Sequence, residues 1–172
     1  MIALLRGSLV EKHPSRVVID VGGVGYDVQV PLSTFYGLGD AGATVVLRIH
    51  THVREDLIAL YGFSTMLEQD LFERLIAISG IGPKLGLAVL SGIEPADLIR
   101  AIRSQDVARL TKIPGVGKKT AERIGLELKD RLPAQATPAA GLVPASGRPE
   151  DQLRDDLLSA LVNLGYQSTA AE

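Results

Sequence analysis

Ile78-Ser79-Gly80-Ile81-Gly82-Pro83-Lys84 and Ile113-Pro114-Gly115-Val116-Gly117-Lys118-Lys119 are one phrase written twice, 35 residues apart. The match extends outward, with Leu75 aligned on Leu110 and Lys84 on Lys119. Each copy reads as an apolar helix end, a Gly-apolar-Gly turn, and a new helix opening with a basic residue. Glycine permits a positive φ and brings the main chain close to a ligand, so both glycines of each copy are expected to serve the turn. The following helix presents unpaired N–H groups and the positive end of its dipole, which suits an anion. Pro83 fits the first helical turn, where a missing N–H costs nothing. Ile81 and Val116 are expected to point inward and fix the turn. The plain alternative is a pair of helical hairpins with glycine C-caps; repetition in register favours phosphate binding.

Outward from this repeat the pattern is helical. Leu67, Leu71, Leu75 and Ile78 recur at spacings of three or four, with Glu68, Asp70, Glu73 and Arg74 between them on the expected polar side. Leu85–Leu90 continues as the next helix, and Ser91-Gly92 ends it. Glu94-Pro95-Ala96-Asp97 starts another, with Leu98, Ile99 and Ile102 on its apolar face. Asp106–Thr111 leads into the second copy, and Thr120–Arg131 follows it. Residues 65–132 thus read as one domain of about five helices.

Residues 1–64 read as β. Ile2–Val10, Arg16–Val21, Tyr26–Pro31, Val45–His52 and Leu57–Tyr61 are apolar and β-branched, separated by Lys12–Ser15, Gly22–Gly25, a Leu32–Gly42 connector and Arg54-Glu55-Asp56. Five short strands with the longest connector after the third suit a small closed barrel of the OB type. Gly22-Gly23-Val24-Gly25 is a hairpin turn rather than a nucleotide loop, because Val28 stands where a third glycine would be and the segment joins strand to strand. His50 and His52 share one strand face; with His13 remote and no third ligand nearby, they read as structural or solvent-facing, and no metal is expected.

Residues 133–149 hold four Pro, five Ala, two Gly and a single charge, Arg148, and read as a flexible linker. Glu150–Leu164 then reads as an acidic helix with Leu153, Leu157, Leu161 and Leu164 in one stripe, ended by Gly165. One amphipathic helix needs a partner for its stripe. The fold class is therefore α+β and multidomain: barrel 1–64, tandem helix-hairpin-helix 65–132, linker 133–149, and a partial C-terminal helical domain over 150–172.

Composition narrows the function. The 172 residues carry a net charge of −2, 46% hydrophobic residues, 4% aromatic residues, no Trp and no Cys. Without cysteine there is no disulfide framework, thiolate metal site or iron–sulfur cluster, and without Trp a base-stacking platform is disfavoured. Residues 65–132 carry 11 basic and 9 acidic side chains, whereas 133–172 carry 2 and 5. Positive charge is enriched only around the repeat. No apolar run reaches the roughly 20 residues of a membrane span, and Met1–Arg6 lacks a signal-peptide layout, so a cytoplasmic protein is expected.

No catalytic set stands out. Gly117-Lys118-Lys119-Thr120 imitates the end of a phosphate-binding loop, but Lys112 occupies the place of its first glycine. No cofactor and no catalytic residue is expected. Arg54-Glu55-Asp56, at the tip of the last strand hairpin, is either an ordinary polar turn or, on a DNA-binding protein, an acidic element that repels phosphate.

Several phrases resemble one family: Val21-Gly22-Gly23-Val24-Gly25-Tyr26, Val53-Arg54-Glu55-Asp56, Leu60-Tyr61-Gly62-Phe63, Gly82-Pro83-Lys84-Leu85 and Pro114-Gly115-Val116-Gly117-Lys118-Lys119-Thr120-Ala121-Glu122-Arg123. With the element order, they make the chain similar, along essentially its whole length, to the RuvA family, the bacterial DNA-binding subunits of the Holliday-junction branch-migration complex. The resemblance implies a non-catalytic protein of recombination, DNA repair and the SOS response. It implies a homotetramer, or an octamer on DNA, holding a four-way junction open while the AAA+ motor RuvB pumps the arms, with the resolvase RuvC as a further partner and no membrane.

Carried over residue by residue, Gly80, Gly82 and Lys84, and Gly115, Gly117, Lys118, Lys119 and Arg123, would grip DNA backbone. Arg54, Glu55 and Asp56 match the family's acidic pin. The family's last domain is a UBA-like three-helix module that contacts RuvB; here its first helix and the start of the second are expected, with Leu157, Leu161, Leu164 and Tyr166 facing the motor. The second hairpin also resembles that of helix-hairpin-helix DNA glycosylases, whose nucleophile matches Lys119. Their aspartate some eighteen residues later has no counterpart, since Gln135, Ala136 and Thr137 stand there and Asp130 comes too early. A third class, a protein-dimerisation module using the glycines only for packing, is separated from DNA binding by a junction gel shift.

Overall fold

The computed structural model describes residues 1–129 and 132. The strands are β1 (Leu4–His13), β2 (Arg16–Val21), β3 (Val24–Gln29), β4 (Thr44–Val53) and β5 (Ile58–Phe63), and a short helix α1 (Leu32–Gly37) lies between β3 and β4. Alternation dictates the barrel. Leu5 and Leu9, Val17 and Ile19, Val28, then Val45, Leu47 and Ile49 point inward at every second position, together with Leu60. The strands close in the order β1-β2-β3-β5-β4. All pairs are antiparallel except β3 with β5, which is the OB pattern.

Two local devices shape the wall. Val10 is an extra residue in β1, because Leu9 faces Ile19 while Glu11 already faces Val18; such a bulge tightens the twist needed for closure. Gly7 is required by close approach, since a Cβ there would lie 2.0 Å from the Asp20 carbonyl oxygen. The β2–β3 hairpin turns on Gly22 and Gly23, with φ of 62° and 89°, and the Gly23 N–H donates to Asp20 Oδ1 at 2.7 Å. That is the two-residue turn expected of Gly-Gly between strands.

The helices follow: α2 (Met66–Ile76), α3 (Pro83–Gly92), α4 (Pro95–Arg103), α5 (Val107–Leu110) and α6 (Lys118–Lys129). Their apolar faces, with Leu71, Phe72, Leu75, Leu90, Leu98, Ile102, Ile124 and Leu128 among them, form a second core. Strand β5 serves both cores. Leu60 faces the barrel interior, while Ala59, Tyr61 and Phe63 pack with the helices.

Three expectations change. The Leu32–Gly42 connector is not all loop, because α1 occupies its first half; six residues are too few to display a helical period. The last helix begins at Lys118, two residues before the expected Thr120, so Lys118 and Lys119 lie inside its first turn. Glu68 is not on a polar face but buried, at 4% exposure. Its carboxylate accepts from Ser33 Oγ at 2.5 Å, from Thr34 Oγ1 at 3.2 Å, and from the Ser64 and Thr65 N–H groups at 3.1 Å each. Thr65 caps α2 in return, accepting from the Glu68 N–H at 3.1 Å. The helix cap is thus also the joint between barrel and helices. The linker at 133–149, the Glu150–Leu164 helix and the motor-facing Leu157, Leu161, Leu164 and Tyr166 lie outside the described residues.

Candidate nucleic-acid interface

The two copies of the phrase fold alike, bond for bond. In the first, the Ile78 N–H donates to Leu75 O at 3.1 Å and Ile81 N–H to Ile78 O at 3.0 Å; in the second, Ile113 N–H donates to Leu110 O at 3.2 Å and Val116 N–H to Ile113 O at 3.0 Å. Gly80 and Gly115 take φ of 88° and 85°. The carbonyls of Gly82 and Gly117 then accept the first helical bonds, from Gly86 and Ala121. Ile81 and Val116 are buried as expected, at 4% and 5% exposure. Their flanking glycines, with Lys84, Lys118 and Lys119, are exposed.

The glycines divide the labour differently from the expectation. Only the first of each pair uses a positive φ; Gly82 sits at −88° and Gly117 is not left-handed either. A Cβ at Gly82 or Gly117 would meet nothing within 4 Å. These two positions leave open space in front of a helix N-terminus, the place where a phosphate oxygen can meet backbone N–H groups.

Arg123 has a job that sequence did not disclose. From α6 its Nη1 donates to the Ser79 carbonyl in the first turn at 2.6 Å, while its Nε lies 3.9 Å from Glu127. The side chain keeps 51% of its exposure. With Ser79, Gly80, Lys119 and Thr120 it lines a recess of about 120 Å³. In return the second turn rests on the first hairpin, since a Cβ at Gly115 would lie 3.2 Å from Leu85 Cδ1. The hairpins therefore form one cationic surface rather than two independent grips.

The Arg54-Glu55-Asp56 turn closes through Arg54 N–H donating to Leu57 O at 2.8 Å. Glu55 and Asp56 are exposed and make no hydrogen bond or ion pair among the described residues. Arg54 reaches back along the strand, its Nε donating to His52 Nε2 at 3.1 Å. His52, Arg54, Leu57 and Tyr61 share a recess of about 280 Å³ with Gly82, Pro83 and Lys84. The base of the acidic turn and the opening of α3 are thus neighbours, although nothing in their 28-residue separation announces it. Burial pushes the Tyr61 phenol up from its ordinary value of 10.0, opposed by nearby Arg54.

His50 is structural. Its Nδ1 lies 3.2 Å from Glu73 Oε1, and its ring stands edge-on to Phe72. Among the described residues no cluster of three or more His, Asp or Glu side chains is placed to hold a metal. No helix among them is long and apolar enough to cross a membrane.

Comparison with known proteins agrees with this geometry. A family model described as RuvA N terminal domain matches residues 1–62, and one described as SAM-like Helix-hairpin-helix tandem matches residues 72–130. The Holliday junction branch migration complex subunit RuvA of Solibacter usitatus is 57% identical over 173 aligned residues, spanning all of this chain and 86% of that protein. The RuvA subunit of Geobacter sulfurreducens is 52% identical, over 97% of this chain and 84% of its own length. That of Acidobacterium capsulatum is 53% identical, over 99% and 85%.

Proposed function

The chain belongs to the RuvA family, and on that premise we propose that it binds four-way junction DNA without sequence preference and without a chemical step of its own. The observation that carries the reading is the union of two unlike surfaces. Exposed glycines and lysines at two identically built hairpins favour phosphate, and an unpaired acidic turn beside the first of them disfavours it.

On this reading Gly80, Gly82, Lys84, Gly115, Gly117, Lys118, Lys119 and Arg123 hold the arms, and Glu55 and Asp56 exclude continuous duplex from the centre. Junction selectivity then needs several copies around one crossover, so the working form is a homotetramer, with an octamer on DNA as the larger form. Residues 1–64 and 65–132 make the DNA-facing part and 133–149 tether it. Residues 150–172, with Leu157, Leu161, Leu164 and Tyr166, engage RuvB, the ATPase that supplies movement. The setting is cytoplasmic recombination and repair.

The open space at Gly82 and Gly117 shows that neither glycine is needed for helix packing within the chain, and a junction titration separates DNA binding from dimerisation. Titration of a synthetic junction and a linear duplex of equal length tests the reading. Tighter junction binding, weakening as salt rises, is expected, with tetramers seen by native mass measurement. Glu55→Gln with Asp56→Asn should improve duplex binding. Equal affinity for both DNAs, or a monomer on the junction, overturns the reading.

A further inference from the structure

We propose that His52 is a positioning residue for junction discrimination: it draws Arg54 away from Glu55 and Asp56 and so keeps the acidic turn at full charge. This rests on the junction reading above.

Arg54 is the nearest cation in sequence to both carboxylates and could neutralise them by folding over the turn. It makes no ion pair with either one among the described residues. Its Nε–H instead donates to His52 Nε2 at 3.1 Å. A ring nitrogen that accepts must carry a lone pair, so this bond selects the neutral ring with its proton on Nδ1. The ring is itself held, standing edge-on to Tyr61 of β5 with centroids 6.3 Å apart. Arg54 is thereby turned toward the recess it shares with Lys84 and Gly82 at the start of α3. One imidazole lone pair thus separates the turn's charges: the cation is drawn toward the phosphate-facing hairpin, and the anions are left bare at the tip.

The groups around the ring are Arg54 just past the end of its strand, Lys84 from α3, the Tyr61 hydroxyl from β5, and His50 on the same strand. His50 is engaged by Glu73 of α2. Arg54, once deprived of its acceptor, pairs with Glu55 or Asp56 and lowers the barrier to duplex.

The experiment measures the ratio of junction to duplex affinity for the full chain at pH 8. His52→Phe keeps a flat ring against Tyr61 but removes the acceptor; His52→Gln retains an acceptor oxygen. His52→Phe is expected to lose about threefold in discrimination, in line with the worth of an exposed ion pair. His52→Gln should hold the ratio of the unaltered protein. Adding Arg54→Gln to His52→Phe should restore discrimination, since the neutralising cation is gone. Discrimination by His52→Phe equal to that of the unaltered protein at pH 8 overturns the proposal while leaving junction binding standing. Equal binding of both DNAs by the unaltered protein overturns the junction reading and this proposal together.

Discussion

Arg123 Nη1 and the Ser79 carbonyl oxygen lie 2.6 Å apart, so the second hairpin's helix is fastened to the first hairpin's turn. The side chain that the proposed function assigns to phosphate also holds the neighbouring hairpin. Its half-exposed guanidinium retains further N–H donors toward solvent.

Arg123→Ala should therefore act on stability and on binding together. Loss of one charged hydrogen bond at a partly exposed site predicts a cost of about 1 kcal/mol, read as a lower urea midpoint, along with weaker junction binding. Lys118→Ala, whose side chain makes no bond among the described residues, should weaken binding and leave the urea midpoint unchanged. A normal midpoint for Arg123→Ala would remove the clamp.

The two glycines of each phrase should separate cleanly on substitution. Gly80→Ala and Gly115→Ala force a side chain into a left-handed conformation, at a cost of about 1–2 kcal/mol each in thermal or urea unfolding. Gly82→Ala and Gly117→Ala meet no neighbour and should fold normally. On the proposed function they nonetheless weaken junction binding, because the methyl group occupies the approach to the helix N-terminus.

Glu68 should rank among the most sensitive polar residues. Glu68→Ala removes the shared acceptor of the Ser33 and Thr34 hydroxyls and the Thr65 N–H, while the Ser64 N–H keeps Thr34 Oγ1, for an expected loss of about 1–3 kcal/mol. Glu68→Gln keeps one acceptor oxygen and should lose less. Urea unfolding of both variants checks the order.

Alkali gives a separate test at the aromatic cluster. The Tyr61 phenol is raised in the folded state by burial, so its contribution is whole below the unfolded value and lost as pH rises through the folded one. The urea midpoint should fall as pH rises past about 10, and Tyr61→Phe should reduce that fall. An identical decline in both proteins would assign the alkaline loss to other groups.

The hairpins and the barrel were legible because both are periodic. A 35-residue offset repeats Leu, Ile, Gly, Gly and Lys together, and five apolar runs alternate with turn residues. What stayed hidden depends on single long-range partners. Glu68 carries the same local pattern as a solvent-facing helix residue, and its burial follows from Ser33 and Thr34, 35 and 34 positions earlier, on a helix too short to show a period. Arg123 could be assigned charge but not its target, because a backbone carbonyl leaves no mark in sequence. The second glycine of each phrase is not the left-handed residue that the pattern suggests; composition does not separate it from the first, whereas φ does.

Strand β5 gives its two faces to different cores, and its first residue, Ile58, stands two places after Asp56. The acidic tip is therefore the protruding end of a stiff rod whose other end is embedded among the helices that carry the hairpins. On the proposed function, a DNA arm bearing on those helices would therefore load the same strand that leads out to the tip. Position of the tip and position of the hairpins are then not independent variables, because one strand is anchored in both.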